Sequence, residues 1–236
     1  MIARSMTQQL TLGIQLRDDA SFANYFSSNT NQSAVHYLKN FLSQKNDYVA
    51  YVWAAAGQGR SHLLQACCHL ANEKNLTAVY LPLKQFAELS VEMLQDLETC
   101  QLVCLDDVDA IAGQREWEEG VFHLYNRLQA TQHHLLVSAT CAPHELKCSL
   151  PDLKSRLSAA AIFHLQSLND ADKIAALQLH AKTRGLILPD KVGQFLLRHL
   201  PRDNHALFQT LNKLDNASLA AQRQLTIPFV KEVLSG

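Results

Sequence analysis

The 236-residue chain has few charges and no surplus of either sign. Asp, Glu, Lys and Arg make up 18% of it, below the roughly 25% of an ordinary soluble domain. Its 21 Lys plus Arg face 22 Asp plus Glu, for a formal net charge of −1. That balance excludes the global positive field that holds a nucleic-acid backbone, so any DNA contact is expected to be local or borrowed from a partner. Long apolar runs are also missing. Stretches such as Tyr48 to Ala56 fall far short of the ~20 residues that cross a bilayer, and the N-terminus lacks the charged-then-apolar layout of a secretory signal. A cytoplasmic location without membrane contact is expected. The six cysteines (Cys67, Cys68, Cys100, Cys104, Cys141 and Cys148) form no C-x-x-C pair, and the eleven His show no H-E-x-x-H or similar ligand spacing. This argues against a zinc site or a disulfide frame.

What is present is core material: 47% of the residues are apolar, enough for two compact units at most at this length. Residues 1–20 read as an arm, with an alternating stretch at Leu10, Leu12, Ile14 and Leu16. Residues 21–166 alternate short β-rich runs with longer segments. The runs are 48–53, 78–81, 102–105, 135–138 and 162–165, and the segments between them are long enough to be crossovers, which predicts an α/β fold with a parallel sheet. Residues 167–236 carry helical signals only. Asn169 and Thr226 stand as helix caps and Gly185 as a stop, so a small all-helical domain is predicted there. No repeat or low-complexity linker separates the two parts, so they are expected to pack closely.

The chemistry begins after the 48–53 strand. Ala54 to Ser61 has the outline of a phosphate-binding loop, G-x-x-x-x-G-K-[ST], with Ala54 in place of the first Gly and Arg60 in place of the Lys. Gly57 and Gly59 permit a tight turn whose N–H groups point at phosphate oxygens. The following helix adds its positive end, and the Ser61 hydroxyl can reach a Mg²⁺ ion. Arg60 keeps the charge as a planar fork rather than a compact ammonium, so binding should survive better than hydrolysis. Ala56, Gly57, Gln58, Gly59, Arg60, Ser61 and His62 are the candidate nucleotide contacts. A second apolar run, Leu102 to Leu105, ends in Asp106 and Asp107, at the strand edge where open α/β sheets bind ligands. Asp106 is suited to hold Mg²⁺ through water and Asp107 to orient an attacking water. Either motif alone also fits an ordinary turn or a helix cap.

Together these residues resemble the DnaA-like branch of the AAA+ ATPases, and within it the short DnaA-homologous regulators. The likeness rests on WAAAGQGRSHLLQA at 53–66, LVCLDDVDAIAG at 102–113, LYNRLQ at 124–129, LPDLKSRL at 150–157, and ADKIAALQLHAKTRG and LTIPFVKEVL in the helical part. It spans nearly the whole chain. It implies an AAA+ P-loop domain with a five-stranded parallel sheet (21–166), a helical lid domain (167–236), and bound ADP or ATP with Mg²⁺.

The resemblance also implies roles. Arg156 matches the Arg that acts on a nucleotide held by a neighbouring subunit, and Arg127 falls in a segment used at subunit contacts, though it equally fits a helix surface. Either Ser138 or Thr140 stands where the family puts a polar residue near the γ-phosphate, and counting back from Pro143 favours Thr140. His205 replaces the usual lid Arg; a largely neutral imidazole would not strongly reward a third phosphate, so ADP is expected to bind at least as well as ATP, though a solvent-facing lid His that touches no nucleotide fits equally. Gln9, Leu10, Leu12 and Ile14 are similar to the peptide that docks this family on the replicative sliding clamp, while their alternation also fits an edge strand. Phe22, Asn24 and Tyr25 lie where the family lines its base pocket. The implied partners are the initiator DnaA, the sliding clamp, DNA only through that clamp, and a possible second copy of the chain. With the sequence stopping soon after its last lid helix, the resemblance suggests a regulator rather than an origin-reading initiator.

Overall fold

The computed structural model describes residues 16–17, 19–86, 90–201 and 203–235; Gln9, Leu10, Leu12 and Ile14 lie outside them. The predicted runs form five parallel strands, β1 (Val49–Trp53), β2 (Ala78–Pro82), β3 (Leu102–Asp106), β4 (His134–Ala139) and β5 (Ala161–His164). Their order is β2-β3-β4-β1-β5. Every residue of β3 and β4 is buried, the physical reason these strands read as continuous apolar runs rather than alternating ones. Successive side chains feed opposite faces. Tyr51, Val103, Leu105 and Val137 pack against α4 (Arg115–Thr131) and α5 (Pro151–Ser158), while Ala50, Val52, Cys104 and Leu136 pack against α1 (Gln32–Asn40) and α2 (Arg60–Glu73). One short helix, α3 (Leu83–Phe86), follows β2.

Beyond β5 the chain is helical, as its pattern predicts: α6 (Asp170–Thr183), α7 (Asp190–His199), α8 (Asn204–Ala221) and α9 (Ile227–Ser235). They share an apolar core of Leu177, Leu196, Leu207, Leu211 and Phe229. Asn169 caps α6 by accepting from the Asp172 N–H at 2.8 Å, and Asp203 caps α8 through the Ala206 N–H at 2.9 Å. Such caps are each worth about 1 kcal/mol. Gly185 ends the α6 segment at φ +75°, a conformation that favours glycine. No helix among the described residues is long and apolar enough to cross a membrane.

One buried charge organises the sheet face opposite α2. Glu118 of α4 is fully buried, and its carboxylate accepts four hydrogen bonds, from Gly113 N (2.6 Å), Ser149 N (3.0 Å), Ser149 Oγ (2.6 Å) and Leu150 N (2.8 Å). It therefore ties the turn before α4 to the residue that begins α5. Burial opposes ionisation, but the Ser149 hydroxyl and the three backbone donors outweigh it and hold the carboxyl below its ordinary value of 4.5. The sign follows. This stabilisation is complete above about pH 4.5 and is lost as pH falls toward the lowered folded value. Glu118→Gln, which turns an amide NH₂ toward existing donors, should cost about 2–4 kcal/mol in urea unfolding at pH 7. The variant should also show a flatter stability profile than the parent below pH 5.

Candidate functional site

Between β1 and α2 the chain makes the tight turn foreseen from its glycines, with Gly57 at φ +76° and Gly59 at φ +89°. Gly59 precedes α2 directly, and no side chain caps that helix, so its first N–H groups remain available to an anion. The turn forms one wall of a cavity of about 540 Å³, a size suited to a small organic ligand. A second wall is the segment before α1, including Asp19, Asn24 and Tyr25; the third comes from the helical region, including His180, Asn204 and His205. Of the sequence candidates, Gly57, Gln58, Gly59, Arg60, Ser61, His62 and His205 line this cavity, whereas Ala56, Asp106 and Thr140 do not. Asn24 and Tyr25 also line it, but Phe22 packs under the α1–α2 face instead. His62 points its Nε2 at the Ser21 carbonyl, 2.8 Å away, and burial pushes its pKa down.

The acid pair sits at the C-terminal end of β3, and its two members are satisfied differently. Asp106 is buried and accepts from the Tyr80 hydroxyl at 2.7 Å and from the Ser138 hydroxyl. Asp107 adopts φ +58°, donates its N–H to Ser138 Oγ at 3.0 Å, and meets Arg60 Nη2 at 2.9 Å. Burial first, and the neighbouring Asp106 charge second, raise the Asp107 pKa; Arg60 opposes both. Arg60 thus reaches across to the acid edge, while its buried Nη1 finds no protein acceptor.

Of the two polar residues considered at the end of β4, Ser138 in the strand meets the acid pair. Thr140 is exposed, and its hydroxyl and N–H donate to Asp109 at 2.6 and 3.0 Å. The sequence could not distinguish them, because the register that sets Leu105 opposite Val137, and so Ser138 level with Asp106, is fixed by the fold.

Further positions emerge only from the structure. Asn204 Nδ2 donates to the Gly57 carbonyl at 2.9 Å, fastening α8 to the turn, and the adjacent His205 accepts from Gln209 at 2.8 Å. Asp19 meets Arg17 and Arg184, each at 3.0 Å, and His180 Nε2 at 3.6 Å. Burial opposes ionisation of Asp19, yet the Arg17 hydrogen bond and the charges of Arg17 and Arg184 hold its carboxyl below the usual range. The Asp203-Asn204 pair at a helix start was the one visible signal among these.

The two remaining arginines differ. Arg156 on α5 is exposed, its guanidinium 5.7 Å from the Tyr125 ring centre, with no carboxylate partner among the described residues, and it does not line the cavity. Arg127 on α4 is spoken for: Nε donates to Glu98 at 2.9 Å and Nη2 to the Leu94 carbonyl at 2.8 Å. Among the described residues, no group of three or more His, Cys, Asp or Glu could hold a metal ion, so a cation here would depend on Ser61, Asp106 and oxygens brought by a ligand.

The turn's conformation gives a direct test. A Cβ at Gly59 would lie 2.8 Å from Tyr25 Cε2, whereas at Gly113 (φ +86°) it would meet nothing within 4 Å. Gly59→Ala should therefore destabilise by about 2–3 kcal/mol in chemical unfolding, through strain plus clash, and Gly113→Ala by about 1 kcal/mol, through strain alone.

Comparison with known proteins places this geometry. The model of the bacterial DnaA ATPase domain matches residues 16–164, and that of the Hda lid domain matches residues 170–234. Domain III of the Thermotoga maritima replication initiation protein DnaA superposes with a TM-score of 0.80 at 18% identity, over 94% of this chain and 98% of that one. AMPPCP-bound DnaA from Aquifex aeolicus gives 0.73 at 20% identity, over 84% of this chain and 66% of that one, so the chain spans about two thirds of that protein's length. The Thermotoga maritima RuvB branch migration motor gives 0.63 at 13% identity, over 88% and 68%. The ATPase-domain model covers more than half of the sequence, and the chain therefore belongs to the bacterial DnaA ATPase-domain family of AAA+ proteins, with a lid of the Hda kind.

Proposed function

We propose that the protein is a nucleotide-bound AAA+ regulator of replication initiation. Docked on a DNA-loaded sliding clamp through Gln9, Leu10, Leu12 and Ile14, it presents Arg156 to ATP held by the initiator DnaA, promotes hydrolysis and limits re-initiation. The observation that carries this reading is Arg156 itself: an exposed guanidinium without a carboxylate partner, standing outside its own cavity. A planar, always-charged fork suits the charge that develops on a transferring phosphoryl group, and such fingers contribute about 10³–10⁵ in rate.

On this reading the chain's own cavity holds ADP or ATP. The residues fit: two glycines at positive φ and an uncapped helix N-terminus suit an anion at the turn. The solved DnaA of Aquifex aeolicus carries AMPPCP. Were a nucleotide bound with Mg²⁺, Ser61 and Asp106 would be the residues to hold the ion, which would offset phosphate charge. Arg60 pairs with Asp107, the candidate base, and so restrains it from orienting water; own-site turnover should be slow. His205 brings no fixed cation to the phosphates, which favours ADP as the resting occupant.

In a mixture of clamp-loaded DNA, ATP-bound DnaA and this protein, Arg156→Ala should leave ADP binding and clamp retention intact and reduce hydrolysis of DnaA-bound ATP by about 10³-fold. Brisk ATP turnover by the purified chain, abolished in Asp107→Asn and indifferent to DnaA, would instead identify an autonomous ATPase. The docking role has its own check. Replacing Gln9 and Leu10 together by Ala should abolish retention in a clamp pull-down, and unchanged retention refutes it.

A further inference from the structure

His180 of α6 is 5% exposed, lines the cavity, and is not used by anything described so far except the Asp19 cluster. Its Nε2 faces Asp19 Oδ2 across 3.6 Å. An anionic acceptor on that side favours the tautomer with its proton on Nε2, which leaves Nδ1 as a bare acceptor. Nδ1 is buried and has no hydrogen-bond partner in the protein. Phe208 meets the ring edge-on, with centroids 5.1 Å apart, and so fixes its plane. Burial, with Arg184 next in effect, lowers the pKa and keeps the ring neutral.

Position along α8 says which part of a ligand lies nearby. Asn204 touches the Gly57 carbonyl and Phe208, four residues on, touches His180; that is one helical turn, about 6 Å along the axis. His180 therefore stands one turn away from the phosphate end of the cavity, beside the nucleoside portion of an occupant.

We propose that His180 is a nucleoside-reading residue whose Nδ1 accepts a hydrogen bond from a donor on the bound nucleotide, either an exocyclic amine of the base or a ribose hydroxyl. The inference rests on the nucleotide reading of the cavity. An acceptor closed even to water carries an unmet desolvation cost, which a donor on an occupant would meet.

The test is calorimetry on the full chain with ADP, inosine diphosphate, 2′-deoxy-ADP and 3′-deoxy-ADP. One analogue, the one lacking the donor, should bind about ten-fold or more weaker than ADP. His180→Gln, which keeps a donor toward Asp19 but lacks Nδ1, should bring ADP down to that analogue's affinity and leave the analogue unchanged. His180→Asn, whose amide can place an acceptor near the Nδ1 position, should restore part of the difference. In ¹⁵N-histidine spectra the His180 Nδ1 signal should move upfield with ADP and stay put with the deficient analogue. Equal affinities for all four ligands, or equal losses of ADP and analogue in His180→Gln, overturn the proposal. Failure of every nucleotide to bind overturns the reading of the cavity instead. Should His180→Gln not fold, the parent's analogue series and the Nδ1 signal decide alone.

Discussion

A guanidinium that is 8% exposed must have a counter-charge, and the Arg60–Asp107 pair supplies it across the width of one strand. Removing such a group from water costs several kcal/mol when it is unpaired, so the start of α2 and the end of β3 are held to one geometry by that requirement. Asp107 itself sits at positive φ. A non-glycine residue in that region is strained by about 1 kcal/mol or more, and here the strain is held by the Arg60 contact and by the N–H bond to Ser138. The two neighbouring carboxylates divide the work of compensation. Asp106 is satisfied by two neutral hydroxyls, whereas Asp107 Oδ1 has an ion-pair partner in Arg60 but no hydrogen bond, and that cation tempers the upward push on the Asp107 pKa.

The cavity is closed on different terms. Its walls come from segments far apart in sequence, joined by polar links such as Asp19 to Arg184 and Asn204 to the Gly57 carbonyl. Partly exposed links of this kind are each worth about 1 kcal/mol or less, whereas the apolar cores of the sheet region and of the helices bury many whole side chains. Sheet and helical region are therefore each stiffer than the joint between them. A ligand that contacts both sides would add its binding energy to the joint, which makes that joint the natural place for occupancy to be sensed.

How much of this was legible follows from which forces act locally. The strands could be read because central parallel strands are buried on both faces, and the caps at Asn169 and Thr226 because capping is a matter of adjacent residues. The phosphate-loop outline was legible for the same reason. Ser138 was not preferred over Thr140, since the choice depends on how β4 is set against β3, a fact of register and strand order. The reach of Arg60 to Asp107 depends on that order too. Glu118 sits in a helix rich in charged residues and reads as a surface position; only the fold brings three backbone donors and a hydroxyl around it. Asp19, His180 and Arg184 meet through the return of the chain upon itself, which no local pattern records.

The contrast between Arg127 and Arg156 draws these strands of argument together, because the two residues are carried by helices that pack on each other. Arg127 spends its directional donors on Glu98 and a carbonyl, and it lowers the Glu98 pKa against the effect of burial. Arg156 lies over the face of Tyr125 instead. Contact with an aromatic face engages the charge of the guanidinium while leaving its in-plane N–H groups for an anion brought from outside. Precision at that position comes from below: Glu118 grips Ser149 and Leu150, so the first turn of α5 is anchored to a buried charge, and Arg156 stands about one and a half turns further along. The buried carboxylate under α5 thus fixes the start of the helix from which the exposed Arg156 projects.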